Sequence, residues 1–523
     1  MPNTFKGRSL CEIDDLSIQQ RKYLFGQVAR LKDALARGDS QTVDSFRIND
    51  PDYGIYEVFI EDSTRTKESF RNAIEFHHAK LVEMKADSSS FNKGESYADT
   101  FNTLTGYSNR IFIIRSQVEG VCRWLETECS AFAKRNGLCS PIFINAGDGK
   151  HEHPTQELLD EYTFIEDNDH STASIHLAMI GDLFHGRTVH SKADGLMIFD
   201  RVKVDLIAPP ELSMPDSYVR LMKANGYEIR TFDSIEAYLE QDDIADKWYF
   251  TRPQLERMGE RILQKADELR QCITFRKEFL DRLKPGTKFY HPLPRHKEHP
   301  TIPVWLDDTP LNGWEKQSIN GMYTRIVLLA LLAGKIGDDY SGPGPASSCL
   351  DEQYIFPAPV SSSKPKTVSE GVNPISSGLV IDHILKGEDP AAIRAHMRLI
   401  CRVMKLDDLK GGEWVSTSSD GLYKGLIFRT GEIAFSPKEL KRLAAVSPGC
   451  TLNFISDSAV KEKFRVKMPP RIYNFDDLEC KNTACISSSA SSENAPALFI
   501  RTENGDYRCA YCGKIHTFKE IWR

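Results

Sequence analysis

Short apolar runs, each ending in a polar or glycine-rich turn and followed by a stretch of helical periodicity, recur along the first two thirds of this chain. That alternation predicts strands at 56–60, 111–114, 141–145, 176–180, 202–208, 227–231, 247–250 and 287–290. Strands separated by helices rather than tight turns pair in parallel, because a parallel neighbour is reached only through a crossover. A helix near 156–164 passes the chain from a first α/β half to a second, and one near 323–333 closes the unit.

The composition shifts after that. Residues 341–377 are rich in Ser, Pro and Gly with almost no apolar periodicity, which reads as a linker. Apolar runs at 379–384, 426–428 and 452–455 then predict a small α+β domain, and the last fifty residues form a separate cysteine-bearing unit. A chain of 523 residues with net charge -7 carries no domain-scale basic surface, which argues against nucleic acid as a partner. The longest apolar run, 326–334, is too short to span a bilayer, so no membrane role is expected, and residues 1–10 lack a signal-peptide core. Eight of the twelve cysteines show no paired spacing, which fits a reducing cytoplasm.

Residues capable of chemistry cluster just past the predicted strands, where open parallel sheets bind their ligands. Ser63-Thr64-Arg65-Thr66 follows the first strand and opens a helix carrying Phe70, Ala73 and Ile74. The hydroxyls alone would suit a helix cap. Arg65 does not, because a cation in the first turn opposes the helix dipole unless a bound anion, phosphate above all, compensates it. Arg115, His153-Pro154-Thr155-Gln156, Gly186-Arg187-Thr188-Val189-His190, Thr251-Arg252-Pro253-Gln254 and His291-Pro292-Leu293-Pro294-Arg295 each follow a further strand. Singly, an arginine is a solvated charge and a histidine a structural one. Sharing a sheet edge, they make a site for an anionic substrate with no thiol nucleophile.

Those four stretches, Ser63 to Thr66, His153 to Gln156, Gly186 to His190 with Ser191, and His291 to Arg295, resemble the aspartate carbamoyltransferase family over roughly 6–337. The resemblance implies a transferase of pyrimidine biosynthesis that joins carbamoyl phosphate to L-aspartate. Its fold would be two doubly wound parallel-sheet domains of the transcarbamylase type, residues 1–155 binding carbamoyl phosphate and 156–338 binding aspartate. Carbamoyl phosphate would be held by Ser63, Thr64, Arg65, Thr66, Ser89, Lys93, Arg115, His153, Gln156, Pro292 and Leu293. Arg65, Thr66, Arg115, His153 and Gln156 would be the catalytic set, while Lys93, Arg187, Arg252 and Gln254 would bind aspartate. Ser89 and Lys93 fall in the segment matching the family's mobile loop and would come from a neighbouring subunit, which implies a catalytic trimer. An ornithine carbamoyltransferase is the closest alternative, but its cysteine-containing His-Cys-Leu-Pro segment is His291-Pro292-Leu293-Pro294 here, and Arg252 and Gln254 favour a carboxylate. A non-catalytic scaffold is the reading of another class.

Cys480, Cys485, Cys509 and Cys512 form two close pairs suited to one tetrahedral Zn2+ with no open position, hence a structural ion, one per chain. Two disulfides are the alternative. The spacing, with 378–384, resembles the regulatory chain of the same enzyme, fused behind a linker at 339–371. It implies a nucleotide-binding-like domain at 372–472 and a zinc-ribbon-like domain at 473–523, able to join two trimers. For CTP or ATP the matching positions are Asp382, His383, Asn453, Ile455 and Lys463. Phe428 stands where the family has a nucleotide-contacting lysine, and Asn373 stands at an acidic position, so allosteric control is weakened relative to a role in assembly.

Overall fold

The computed structural model describes residues 3–523 except 85–94, 108, 255–263, 346–351, 361–374, 419 and 492. It divides into two compact units: Met1–Ala346 with Cys480–Ala495 and Tyr511–Gly513, and Ser347–Glu479 with Pro496–Ala510 and Lys514–Arg523.

In the first unit, β1 (Gly54–Phe59), β2 (Lys80–Met84), β3 (Asn109–Ser116) and β4 (Ile142–Asp148) make a parallel sheet ordered β2-β1-β3-β4. A second parallel sheet, β7-β6-β5-β8-β9, is built from β5 (Ile175–Ile180), β6 (Val202–Ile207), β7 (Glu228–Phe232), β8 (Lys247–Phe250) and β9 (Lys288–Tyr290). All eight expected strands form, within a few residues of the ends read from the sequence. The ninth, β2, went unseen because it is a half-exposed strand, Lys80-Leu81-Val82-Glu83-Met84, with no sustained apolar run. Both sheets bury both faces under helices, so their central strands are continuous apolar runs, as in Ile111-Phe112-Ile113-Ile114.

The helix Pro154–Glu166 leaves the first sheet for the second, and the helix Trp314–Ala333 packs back on it and on Thr64–Phe76. One continuous core joins residues of both sheets to these helices, from Phe59 and Phe70 through Leu158 to Leu177 and Leu329.

The second unit holds a six-stranded sheet ordered β10-β15-β14-β11-β13-β12, antiparallel in every pairing. Its strands are β10 (Ile355–Pro357), β11 (Gly378–Gly387), β12 (Gly411–Thr417), β13 (Tyr423–Thr430), β14 (Thr451–Ser456) and β15 (Ala459–Val466), with helices at Pro390–Met404 and Pro437–Val446. β10 corrects the linker expected at 339–371: Ile355-Phe356-Pro357 is an edge strand on β15, too short to register as periodicity between Ser- and Pro-rich flanks. A four-stranded antiparallel sheet of β16 (Arg471–Tyr473), β17 (Leu498–Arg501), β18 (Tyr507–Cys509) and β19 (Ile515–His516) comes last in the chain. No helix among the described residues is long and apolar enough to cross a membrane.

The first unit also takes in the Cys480–Ala495 segment. The Glu119 N–H donates to the Ala484 carbonyl at 2.8 Å, and the Ile486 N–H donates to the Glu119 carbonyl at 3.0 Å. Beside them, Trp124 Nε1 donates to Glu493 Oε2 at 3.2 Å and the Trp124 ring meets Tyr511 edge-on at 6.1 Å. Gly120, at φ +79°, makes this approach possible, because a Cβ there would lie 2.5 Å from the Tyr511 backbone. Gly120→Ala combines a left-handed backbone with a main-chain overlap, so it should cost about 2 to 4 kcal/mol, read as a fall in Cm at unchanged m in urea unfolding.

Candidate active site

At the end of β1 the turn Ser63-Thr64-Arg65-Thr66 enters the helix Thr64–Phe76. Ser63 is the N-cap residue, with extended backbone, yet its hydroxyl makes no capping hydrogen bond. The turn therefore lacks the ordinary function of its serine and keeps the anion-binding character of a helix start. Arg65 has no carboxylate partner among the described residues.

Around this turn gather Arg115 from β3, His153 and Gln156 from the start of Pro154–Glu166, and Arg187 from the short helix Arg187–His190. Arg252 and Gln254 follow β8, and Pro292 and Leu293 follow β9. All of them line one cleft of about 570 Å³ with Ser63, Thr64, Arg65 and Thr66. Every described residue expected to touch carbamoyl phosphate or aspartate is thus in one place; Ser89 and Lys93 lie outside the described residues.

The cleft is organised by positive charge. Arg115 Nη1 donates to the Ala146 carbonyl at 3.0 Å and its Nη2 is 3.2 Å from Glu61 Oε2. Arg187 Nη1 donates to the Gly149 carbonyl at 2.9 Å and lies 3.4 Å from the same Glu61 oxygen. A Cβ on Gly147, at φ +114°, would come 2.7 Å from Arg115 Nη1 and 3.2 Å from Arg187 Cζ, so glycine is what lets both guanidiniums approach. Arg325, fully buried in the apolar helix Trp314–Ala333, donates from Nη1 to Ser69 Oγ at 2.9 Å.

His153 is 4 % exposed and sits 3.4 Å from Thr66 Oγ1 through Nε2 and 3.4 Å from Thr155 Oγ1 through Nδ1. Burial, and then Arg115, Arg187 and Arg325, hold its pKa well below the usual histidine range, so the ring is neutral. His291 is pushed down to about 3 by burial and by Arg295, Arg65 and Arg252, and its Nδ1 accepts the Leu293 N–H at 2.7 Å. Asp182, fully buried, accepts the Gln254 N–H at 2.9 Å and the His185 N–H at 2.9 Å, which fixes the loop after β8.

Sequence reading missed Glu61, Gln317 and Arg325, which line the same cleft. Arg325 left a signal: a lone cation beside Ile326-Val327-Leu328-Leu329 in the most apolar helix of the chain. Glu61 and Gln317 left none, since an acid in a turn and an amide on a helix look like solvated residues.

Cys480, Cys485, Cys509 and Cys512 are all buried and their sulfurs lie within 4.8 Å of one another. Cys480 Sγ is 3.7 Å from Cys512 Sγ, far beyond a disulfide bond and close to the edge, about 3.8 Å, of a tetrahedron with 2.3 Å metal–sulfur bonds. The four thiolates fit a metal ion.

Four family models match the chain. They are aspartate/ornithine carbamoyltransferase, carbamoyl-P binding domain, at 8–166; aspartate/ornithine carbamoyltransferase, Asp/Orn binding domain, at 173–332; aspartate carbamoyltransferase regulatory chain, allosteric domain, at 370–467; and the same chain's metal binding domain at 470–522. Protein PyrBI of Treponema denticola is 64 % identical over 100 % of this chain and 99 % of its own length. Protein PyrBI of Thermotoga maritima is 51 % identical over 100 % of both. A crystal structure of aspartate transcarbamoylase from Trypanosoma cruzi in complex with carbamoyl phosphate and aspartate matches with TM-score 0.53 and 27 % identity, over 63 % of this chain and 98 % of that one. The chain belongs to the aspartate carbamoyltransferase family. It is an aspartate carbamoyltransferase that carries catalytic and regulatory-chain domains in one polypeptide, with a metal-binding domain at its end.

In the regulatory part of this aspartate carbamoyltransferase, Asn453 on β14 stands opposite Val380 and Lys463, and Val380 opposite Phe428. Directly opposed residues share a face, so Lys463, Asn453, Val380 and Phe428 form one row across the sheet. Asp382 and Ile455, each two residues along its strand from that row, lie on the same face. His383 has φ +62° and its N–H donates to Asp382 Oδ1 at 2.6 Å, while Lys424 Nζ is 3.4 Å from that oxygen. Asn373 lies outside the described residues.

His153 and His291 set an acid limit. Their folded pKa lies below the value of about 6.5 they regain on unfolding, so their contribution is present above about pH 6.5 and is lost as pH falls toward their folded values. The His291 imidazole, pushed down to about 3, should stay neutral in NMR titration from about pH 8 to 5; titration near 6.5 would mean that the cleft does not desolvate it.

Proposed function

We propose that this cleft carries out aspartate carbamoylation with Ser63, Thr64, Arg65, Thr66 and Arg115 on the phosphate of carbamoyl phosphate. Arg187 binds the α-carboxylate of L-aspartate, and Arg252 and Gln254 its side-chain carboxylate, by charge-assisted and bidentate pairing. Supporting this reading above all is the convergence of these residues with a neutral His153 on a single cation-rich cleft.

The neutral aspartate amine attacks the carbamoyl carbon, a C–N bond forms, and the C–O bond to phosphate breaks. Negative charge grows on the carbonyl oxygen, where Thr66, Arg115 and His153 donate hydrogen bonds. A neutral imidazole has one N–H to give, and the burial and arginines that depress its pKa make its other nitrogen a poor proton acceptor, so His153 acts as a donor and not as a base; the amine proton leaves with the phosphate. Gln156 and the backbone at Pro292 and Leu293 orient the carbamoyl amide. Holding both substrates in one desolvated cleft supplies much of the remaining acceleration.

Ser89 and Lys93 complete this site from a neighbouring subunit of a trimer, on the family resemblance. Residues 1–155 and 156–338 then serve carbamoyl phosphate and aspartate respectively. The metal is Zn2+, one per chain, in the domain at 473–523, supported by four thiolates at tetrahedral spacing. CTP or ATP would lie on the Lys463-Asn453-Phe428 face, where the aromatic Phe428 supplies no charge for the phosphates, and the 372–472 domain serves mainly to join two trimers. A cytoplasmic location accords with the cysteine pattern.

His153→Ala should lower kcat about 10²- to 10³-fold, the loss of one donor at a developing oxyanion, with a smaller change in KM; retention of most of kcat sinks the polarising role. Chelation should release one zinc per chain and unfold residues 473–523, seen as new proteolytic cleavage there; an intact metal-free domain contradicts the structural role.

A further inference from the structure

Asp160, fully buried on the helix Pro154–Glu166, lies beneath the cleft and collects three donors. Its Oδ1 accepts from Gln156 Nε2 at 2.9 Å and from Gln317 Nε2 at 2.6 Å. Its Oδ2 accepts from Lys192 Nζ at 2.7 Å, and that ammonium, buried over the Tyr249 ring at 4.2 Å, also donates to Glu157 Oε2 at 2.8 Å. The other end of Gln317 accepts the His291 N–H at 2.9 Å.

A carboxylate whose charge is matched by a buried ammonium can only accept hydrogen bonds. It therefore captures the NH2 end of both amides. For Gln156, which lines the cleft, the end left for a ligand is Oε1, again an acceptor only. A ligand N–H satisfies that oxygen. A methyl group leaves it unpaired, and a buried group left unpaired is what makes such sites selective. Gln317, held by the same carboxylate, carries the constraint to the backbone at His291, two residues before Leu293.

We propose that Asp160 is a positioning residue that sets which acyl phosphate the enzyme accepts, by locking the Gln156 amide so that its oxygen faces an N–H of the carbamoyl group. The proposal rests on the carbamoyl phosphate reading of the cleft.

Asp160→Asn keeps the shape but offers a donor as well as acceptors, so Gln156 is free to turn over. The measurement is kcat/KM with L-aspartate for carbamoyl phosphate and for acetyl phosphate, with inhibition by inorganic phosphate alongside, on the full chain. With acetyl phosphate the aspartate amine forms a C–N bond to the acetyl carbon, the C–O bond to phosphate breaks, and phosphate takes the proton. Expected is a fall of about 30-fold or more for carbamoyl phosphate, with acetyl phosphate and phosphate inhibition changed less than about 3-fold, so that the selectivity ratio collapses. A parallel fall for both acyl phosphates, or an unchanged ratio, overturns the proposal. If the single variant does not fold, Asp160→Asn with Glu157→Gln and Lys192→Met removes the buried ammonium together with both carboxylates that share it and must give the same collapse. In a Gln156→Ala background, Asp160→Asn should leave the ratio where Gln156→Ala alone puts it; a further shift overturns action through Gln156. An unmodified enzyme that releases no phosphate from carbamoyl phosphate and aspartate refutes the reading of the cleft itself, a result separate from any change of ratio.

Discussion

Positive charge held together against its own repulsion is the constraint on which the rest of the catalytic part depends. Arg115, Arg187 and Arg325 come from three separate elements and are kept within reach of one buried imidazole. Without an anion, such a cluster is costly, and among the described residues Glu61 bridges two of the three. Backbone carbonyls of Ala146 and Gly149 hold the guanidiniums from behind, and the absence of a side chain at Gly147 gives them room. Burial together with that field keeps His153 neutral, and burial with Arg295, Arg65 and Arg252 does the same for His291, so the cations that draw in anionic substrates also help fix the protonation of the groups that meet them.

Much of this was legible in the sequence because parallel strands buried on both faces are continuous apolar runs, and the turns that carry the site leave the ends of strands in both parallel sheets and meet at one cleft. Arg115, Arg187 and Arg252 could be gathered without any three-dimensional information. Asp160, Gln317 and Arg325 could not, since they sit inside helices and their partners lie 4 to 256 residues away. β2 and β10 were missed for a simpler reason: both are short and only partly buried, and their stability comes from a neighbour rather than from a pattern of their own.

The sheet of the regulatory part carries Lys463 and Asn453 in a row with Val380 and the aromatic Phe428. Lys424, one strand over from Asp382, already engages that carboxylate.

Glu119 carries more than the bridge to Ala484 and Ile486. Its Oε2 accepts from Asn482 Nδ2 at 2.5 Å and its Oε1 from the Lys150 N–H at 3.0 Å, next to the Gly149 carbonyl that holds Arg187. In an assembly of separate chains this contact would be a binding equilibrium, lost on dilution. Within one polypeptide it is unimolecular, with an effective concentration on the order of millimolar set by the chain itself. The seating of the cysteine segment beside the Arg187 loop is therefore independent of enzyme concentration, and dilution alone does not strip it from the catalytic part.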